Sequence, residues 1–140
     1  MSMTLKDIQT RQTRSYFIID RHSFDTIASC RFVMGEYNRY IDECMKKGYH
    51  NGYRYGLGAA EHCKRQRKDA SAPLPEYILA DRAETAGKTI AGEQGKLAAL
   101  DTVPEAFEPE YREAVGVMAW TSAAMAWVDG YRDGVALVNQ

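Results

Sequence analysis

Lys46, His50 and Arg54 stand four residues apart, and Tyr49 and Tyr53 run beside them at the same interval. On a helix, positions i, i+4 and i+8 share a face, so this spacing sets cations next to aromatic rings. Tyr55 and Lys47 adjoin the stripe, and Lys64, Arg65, Arg67 and Lys68 carry positive charge onward to the end of the same stretch. Two kinds of partner use such a surface. Single-stranded nucleic acid takes cations on its phosphates and aromatic rings under its bases. Protein hot spots are also rich in Arg and Tyr. The chain carries 18 Lys and Arg against 19 Asp and Glu, with a pI near 6.3, which argues against general affinity for a polyanion. The bland reading is a solvated face; where the stripe binds, a protein with an acidic surface is the expected partner, and a nucleic acid is the alternative.

The near-zero total hides an asymmetry. Residues 1–69 hold 13 Lys and Arg and 8 Asp and Glu, whereas residues 70–140 hold 5 and 11. Either the halves dock on each other, or the charges are simply solvated, or the basic half faces an acidic partner.

Other chemistry is weakly represented. Ala86-Gly87-Lys88-Thr89 has the ending of a phosphate-binding loop, but Arg82 occupies the position where that motif requires a glycine. His50, His62, Cys30, Cys44 and Cys63 lack the close ligand pairs of a zinc site, and the neighbours His62 and Cys63 would point apart on a helix. Asp42-Glu43 and Glu61-His62 are adjacent and do not face each other. Asp20-Arg21-His22 and the Gly87–Gly95 segment are the places where a small enzyme could keep a site. No cofactor, no metal and no catalytic group is expected; an enzyme is the third reading.

The elements that would position these residues follow from periodicity. Tyr37, Ile41, Cys44, Gly48, Gly52, Gly56, Ala59, Ala60 and Cys63 recur at steps of three and four, which predicts a long helix over 36–68 of about 50 Å. Ser23 suits an N-cap for a preceding helix that ends or bends near Gly35. Gly48, Gly52 and Gly56 share one face, although each glycine costs a helix about 1 kcal/mol relative to alanine. Another backbone approaching closely explains them best. Asn51 to Leu57 reads NGYRYGL, and Asp129 to Val135 reads DGYRDGV. Gly130 and Gly134 again share a face, continued by Ala126. Two helices crossing through these matched small faces, flanked by Tyr53 and Tyr131, account for both segments.

Ala114 to Val128 has no charge, and a helical pattern around it runs from Pro109 to about Val138. Fifteen uncharged residues fall short of the roughly 20 needed to cross a bilayer, so this is expected to be a central buried helix. Residues 69–75, with Pro73 and Pro75, read as a linker. Pro75 opens a helix through Tyr77, Ile78 and Leu79 that should stop near Gly87, leaving 87–95 as a mobile loop. Thr4 to Gln12 has weak helical spacing, and Tyr16 to Ile19 is a candidate strand.

With 140 residues, 45% of them hydrophobic, the chain suffices for one domain over 1–140. The N-terminus has no export signal, and three cysteines fit a reducing cytoplasm. The expectation is a mainly α, single-domain helical bundle with one long helix and a buried C-terminal helix, cytoplasmic and without membrane contact. Tyr37, Tyr40 and Ile41 at the far end of the long helix would leave an apolar patch, so a homodimer is expected. In size, thiols and tyrosine-rich Gly-x-x-x-Gly helices the chain resembles small accessory proteins of bacterial viruses and mobile elements. That resemblance implies a non-enzymatic protein that binds and modulates or inhibits a host machine.

Overall fold

A computed structural model describes residues 27–97 and 109–140, with side chains from 38 to 95 and from 115 onward. The candidate strand Tyr16 to Ile19, the Thr4 to Gln12 segment, Asp20-Arg21-His22 and Cys30's side chain lie outside what is described. Among the described residues three helices form: α1 (Ile27–Arg65), α2 (Glu76–Leu97) and α3 (Pro109–Val138). The protein is a mainly α helical bundle. Among the described residues, no helix is long and apolar enough to cross a membrane.

The contacts give the topology. Along α1, Gly48, Gly52 and Gly56 meet Ala123, Trp127 and Tyr131 of α3 in turn, so the two helices run parallel. Gly87 of α2 meets Trp120 and Ala124, while Leu74, just ahead of α2, bonds Tyr131. Hence α2 runs antiparallel to α3, and the order is up, down, up.

α1 passes through Gly35 without a break and reaches 39 residues, about 58 Å at 1.5 Å per residue. The expected interruption is absent because a single glycine weakens a helix by only about 1 kcal/mol, and no proline follows it. The helix stops at Arg65 in a Schellman-type turn. The Lys68 amide donates to the Cys63 carbonyl at 2.8 Å, the Arg67 amide donates to Lys64, and Arg67 takes the left-handed conformation with φ 54°. Residues 66–75 are turns, in keeping with the linker-like composition of 69–75. There the Ser71 amide and hydroxyl both donate to the Asp69 carboxylate. The Pro75 carbonyl then accepts from Ile78 and Leu79, opening α2.

The expected mobile loop at 87–95 is instead helical, continuing α2 to Leu97. Leu79, Ala83, Ile90 and Ala91 are buried at helical spacing along it. A β-carbon at Gly87 would lie 3.0 Å from the Ala124 amide nitrogen, so this glycine permits contact with α3 and does not end the helix. Burial of the apolar face outweighs the low propensity of the glycines.

α3 lies at the centre, packed against both α1 and α2, which also touch each other. Val115, Met118, Ala119, Trp120, Ala123, Ala124, Trp127 and Val128 are all buried, and so are Thr121 and Ser122. The Thr121 hydroxyl returns a 2.7 Å hydrogen bond to the Val117 carbonyl one turn back, which satisfies it inside the core.

Candidate interaction surface

At the start of the cationic stripe the structure supplies counter-charges. Lys46 Nζ lies 2.9 Å from an Asp42 carboxylate oxygen and 3.9 Å from Glu43, and Asp42 chiefly holds its ammonium above the ordinary lysine range. Lys47 reaches Glu93 of α2 at 3.9 Å. The Tyr49 hydroxyl donates to Asp133 Oδ2 at 2.6 Å, and this bond, with a smaller contribution from burial, raises its pKa above the ordinary tyrosine value. Tyr53 is half-buried and its ring stacks on Tyr49, with centroids 6.3 Å apart.

Farther along, the picture changes. His50, Arg54, Arg65, Arg67 and Lys68 are exposed, and among the described residues none makes an ion pair. Lys64 is exposed too, but donates to the carbonyl of Val138, the last residue of α3, over 2.6 Å. Such an interaction suits a helix C-terminus. The stripe therefore divides into a charge-balanced half, Lys46 to Tyr49, and a cationic half from His50 to Lys68.

The small residues are placed reciprocally. A β-carbon would come to 3.1 Å from the Ala123 Cα if added at Gly48, 2.8 Å from the Trp127 Cα at Gly52, and 3.0 Å from the Tyr131 Cα at Gly56. From the other side, Gly130 presses on the Tyr49 carbonyl and Gly134 on the Tyr53 carbonyl. Ala126, one turn before Gly130, is only half-buried. Beside it the two helices leave an open recess of about 690 Å³, lined by Asp42, Met45, Lys46 and Tyr49 of α1 and by Ala126, Asp129, Arg132 and Asp133 of α3. Met45 and Tyr49 are 42% and 41% exposed. This recess was not foreseen, because its two walls are about 80 residues apart in the chain. The available signal was local: Met45 and Tyr49 one turn apart on α1, and Asp129 and Asp133 one turn apart on α3.

A second group of rings fixes the α1–α3 contact. Trp127 and Tyr131 stack with planes 6° apart and centroids 5.9 Å apart, and Tyr55 tilts against both at 5.3 and 6.2 Å. The Arg82 guanidinium of α2 sits 5.3 Å above the Tyr55 ring.

The remaining motifs take structural places. Ala86 to Thr89 lie inside α2, where Lys88 pairs with Glu84 at 2.8 Å and sits 5.0 Å over the Trp120 ring, and Thr89 bonds the Thr85 carbonyl. A phosphate loop would need those residues in a turn. Cys44 and Cys63 are buried free thiols, and His62 points out to solvent. Burial pushes the Cys44 thiol up to about 11 and raises the neighbouring Tyr40 hydroxyl as well; that hydroxyl donates to the Ala91 carbonyl at 2.7 Å. Among the described residues, no group of His, Cys, Asp and Glu is arranged to hold a metal ion. Tyr40 and Ile41 are 5% and 7% exposed, so they do not form the apolar patch from which a homodimer was expected. The Tyr40 hydroxyl reaches Ala91 of α2 within one chain, and the side chain of Tyr37, the third residue of that expected patch, lies outside the described residues.

A scan of protein-family models, a search of curated proteins and a search of solved structures each found no match to this chain.

Proposed function

We propose that this protein works by contact, as a small binding module whose outer α1 face engages an acidic surface on another protein. The observation that carries this reading is the split in the stripe. Lys46 and Lys47 are neutralised within the chain, whereas Arg54, Arg65, Arg67 and Lys68 stand exposed with no ion-pair partner among the described residues. Unpaired exposed cations cost folding little, and their field is available to steer a partner of opposite sign. The likeness to accessory proteins of mobile elements would make that partner part of a host machine, which the module modulates or inhibits.

Tagged protein is used to capture partners from a bacterial lysate, with and without nuclease and at low and high salt. The expected result is a nuclease-resistant, salt-sensitive protein partner that Arg54→Glu with Arg65→Glu no longer captures, while the melting temperature stays within a few degrees. Capture lost on nuclease treatment would assign the face to nucleic acid. Unchanged capture by the double variant would overturn the reading.

A further inference from the structure

We infer that the recess between α1 and α3 is a second docking site, of opposite character, which takes a helical partner segment carrying a Lys or Arg beside an apolar side chain. This site does not depend on the cationic face. Its carboxylates are poorly compensated. Asp129 and Asp133 are one turn apart on α3, and like charges at that spacing destabilise a helix. Neither makes an ion pair among the described residues, although Arg132 lies at the same rim. Asp42 faces them from α1 and is the one recess carboxylate with a cation, Lys46. Asp133 gives one oxygen to the Tyr49 hydroxyl, which fixes that ring at the mouth and leaves the other oxygen open.

Beside this charge lies exposed apolar surface. Met45 and Tyr49 are one turn apart on α1, and Ala126 sits opposite, where the glycine contact between the helices gives way. Met suits a surface that must adapt to its partner's side chains. A helix laid along a groove presents anchors one turn apart, and the recess offers it the same interval on both walls. An apolar anchor meets Met45 and Tyr49, and its neighbouring cation meets Asp129 and Asp133. An acidic partner would instead bring like charge to Asp129 and Asp133, the two recess carboxylates without an ion pair among the described residues. The volume of about 690 Å³ falls within the range of ligand-sized clefts, roughly 300–1,000 Å³, enough for a few side chains.

The test uses a fluorescent amphipathic peptide of Leu and Lys at helical spacing, a matching peptide of Leu and Glu, and the full chain. By fluorescence anisotropy, the Lys peptide should bind wild type about tenfold or more tightly than it binds the Asp129→Asn, Asp133→Asn variant, a difference of about 1.4 kcal/mol. The bound Lys peptide should also slow peroxide oxidation of Met45, read by mass spectrometry, in wild type and not in the variant. Equal binding to both proteins, or unchanged Met45 oxidation, would overturn the assignment. Tighter binding of the Glu peptide would overturn it too, and would assign the groove to an acidic partner.

Discussion

Gly52 lies so close to Trp127 that a β-carbon on it would fall 2.8 Å from the Trp127 Cα. The relationship has a mirror. Trp127 is three residues before Gly130, and Gly130 rests on the carbonyl of Tyr49, three residues before Gly52. Gly56 with Tyr131, and Gly134 with Tyr53, repeat it one turn later. α1 and α3 are thus a parallel pair in which each glycine sits over the carbonyl three residues ahead of its opposite number. That approach brings Cα–H groups toward carbonyl oxygens, a weak but repeated attraction. The segments NGYRYGL and DGYRDGV are the sequence image of this reciprocity.

Glycines on one helix should therefore respond in opposite directions. Gly52→Ala places a methyl against backbone, which cannot swing aside as a side chain can, and should cost more than about 2 kcal/mol. Gly58 has nothing within 4 Å of where its β-carbon would be. Gly58→Ala should stabilise by about 0.5–1 kcal/mol through helix propensity and a less flexible unfolded chain. Urea melts of the two variants decide this; a Gly52→Ala midpoint equal to wild type would show that the helices can separate without penalty.

Trp127 stacks on Tyr131, touches Tyr55 and is only 5% exposed. Trp127→Ala should cost about 3–5 kcal/mol, since the packed helices on either side cannot close the void. Leucine at this position should recover part of the loss. Thermal unfolding of both variants checks the order.

Arg67 holds a left-handed conformation, φ 54°, at the turn that ends α1. Glycine adopts that geometry without the steric penalty of a β-carbon. Arg67→Gly should raise stability by about 0.5–1 kcal/mol, and Arg67→Val should lower it. The same Arg67→Gly protein loses one exposed cation, so capture of an acidic partner should weaken while the fold strengthens.

Alkaline pH should destabilise the protein through Cys44. Its thiol ordinarily titrates near 9.0, and burial raises it to about 11 in the folded chain. The unfolded state then releases its proton first. Stability from this group is complete below about pH 9 and is lost as pH rises to about 11. Tyr40, also raised by burial, extends the loss in the same direction. Denaturant midpoints across this window should fall, and Cys44→Ala should flatten the early part of the fall. At neutral pH Cys44 should resist alkylation until the chain unfolds, because a buried protonated thiol is a poor nucleophile.

What local pattern determines was legible in the sequence. The uncharged run Ala114 to Val128 identified the buried helix, and Pro109 marked its first residue. Steps of three and four through Ile41, Cys44, Gly48 and Gly52 announced the long α1, and the two glycine motifs announced backbones in close approach. Tertiary structure decided three things that no window of sequence contains. Gly87 and Gly92 look like loop residues until Ala83, Ile90 and Ala91 join the shared core, and that burial outweighs the entropy that glycine loses in a helix. Tyr40 and Ile41 look like a patch awaiting a second copy until Ala91 of α2 closes over them. Lys47 and Tyr49 look like free binding groups until Glu93 of α2 and Asp133 of α3 arrive beside them, whereas the Asp42 partner of Lys46 stands one turn back on the same helix. Charge and burial depend on what stands opposite, and only the folded chain brings Glu93 of α2 to Lys47 and Asp133 of α3 to Tyr49 while the rest of the stripe is left open.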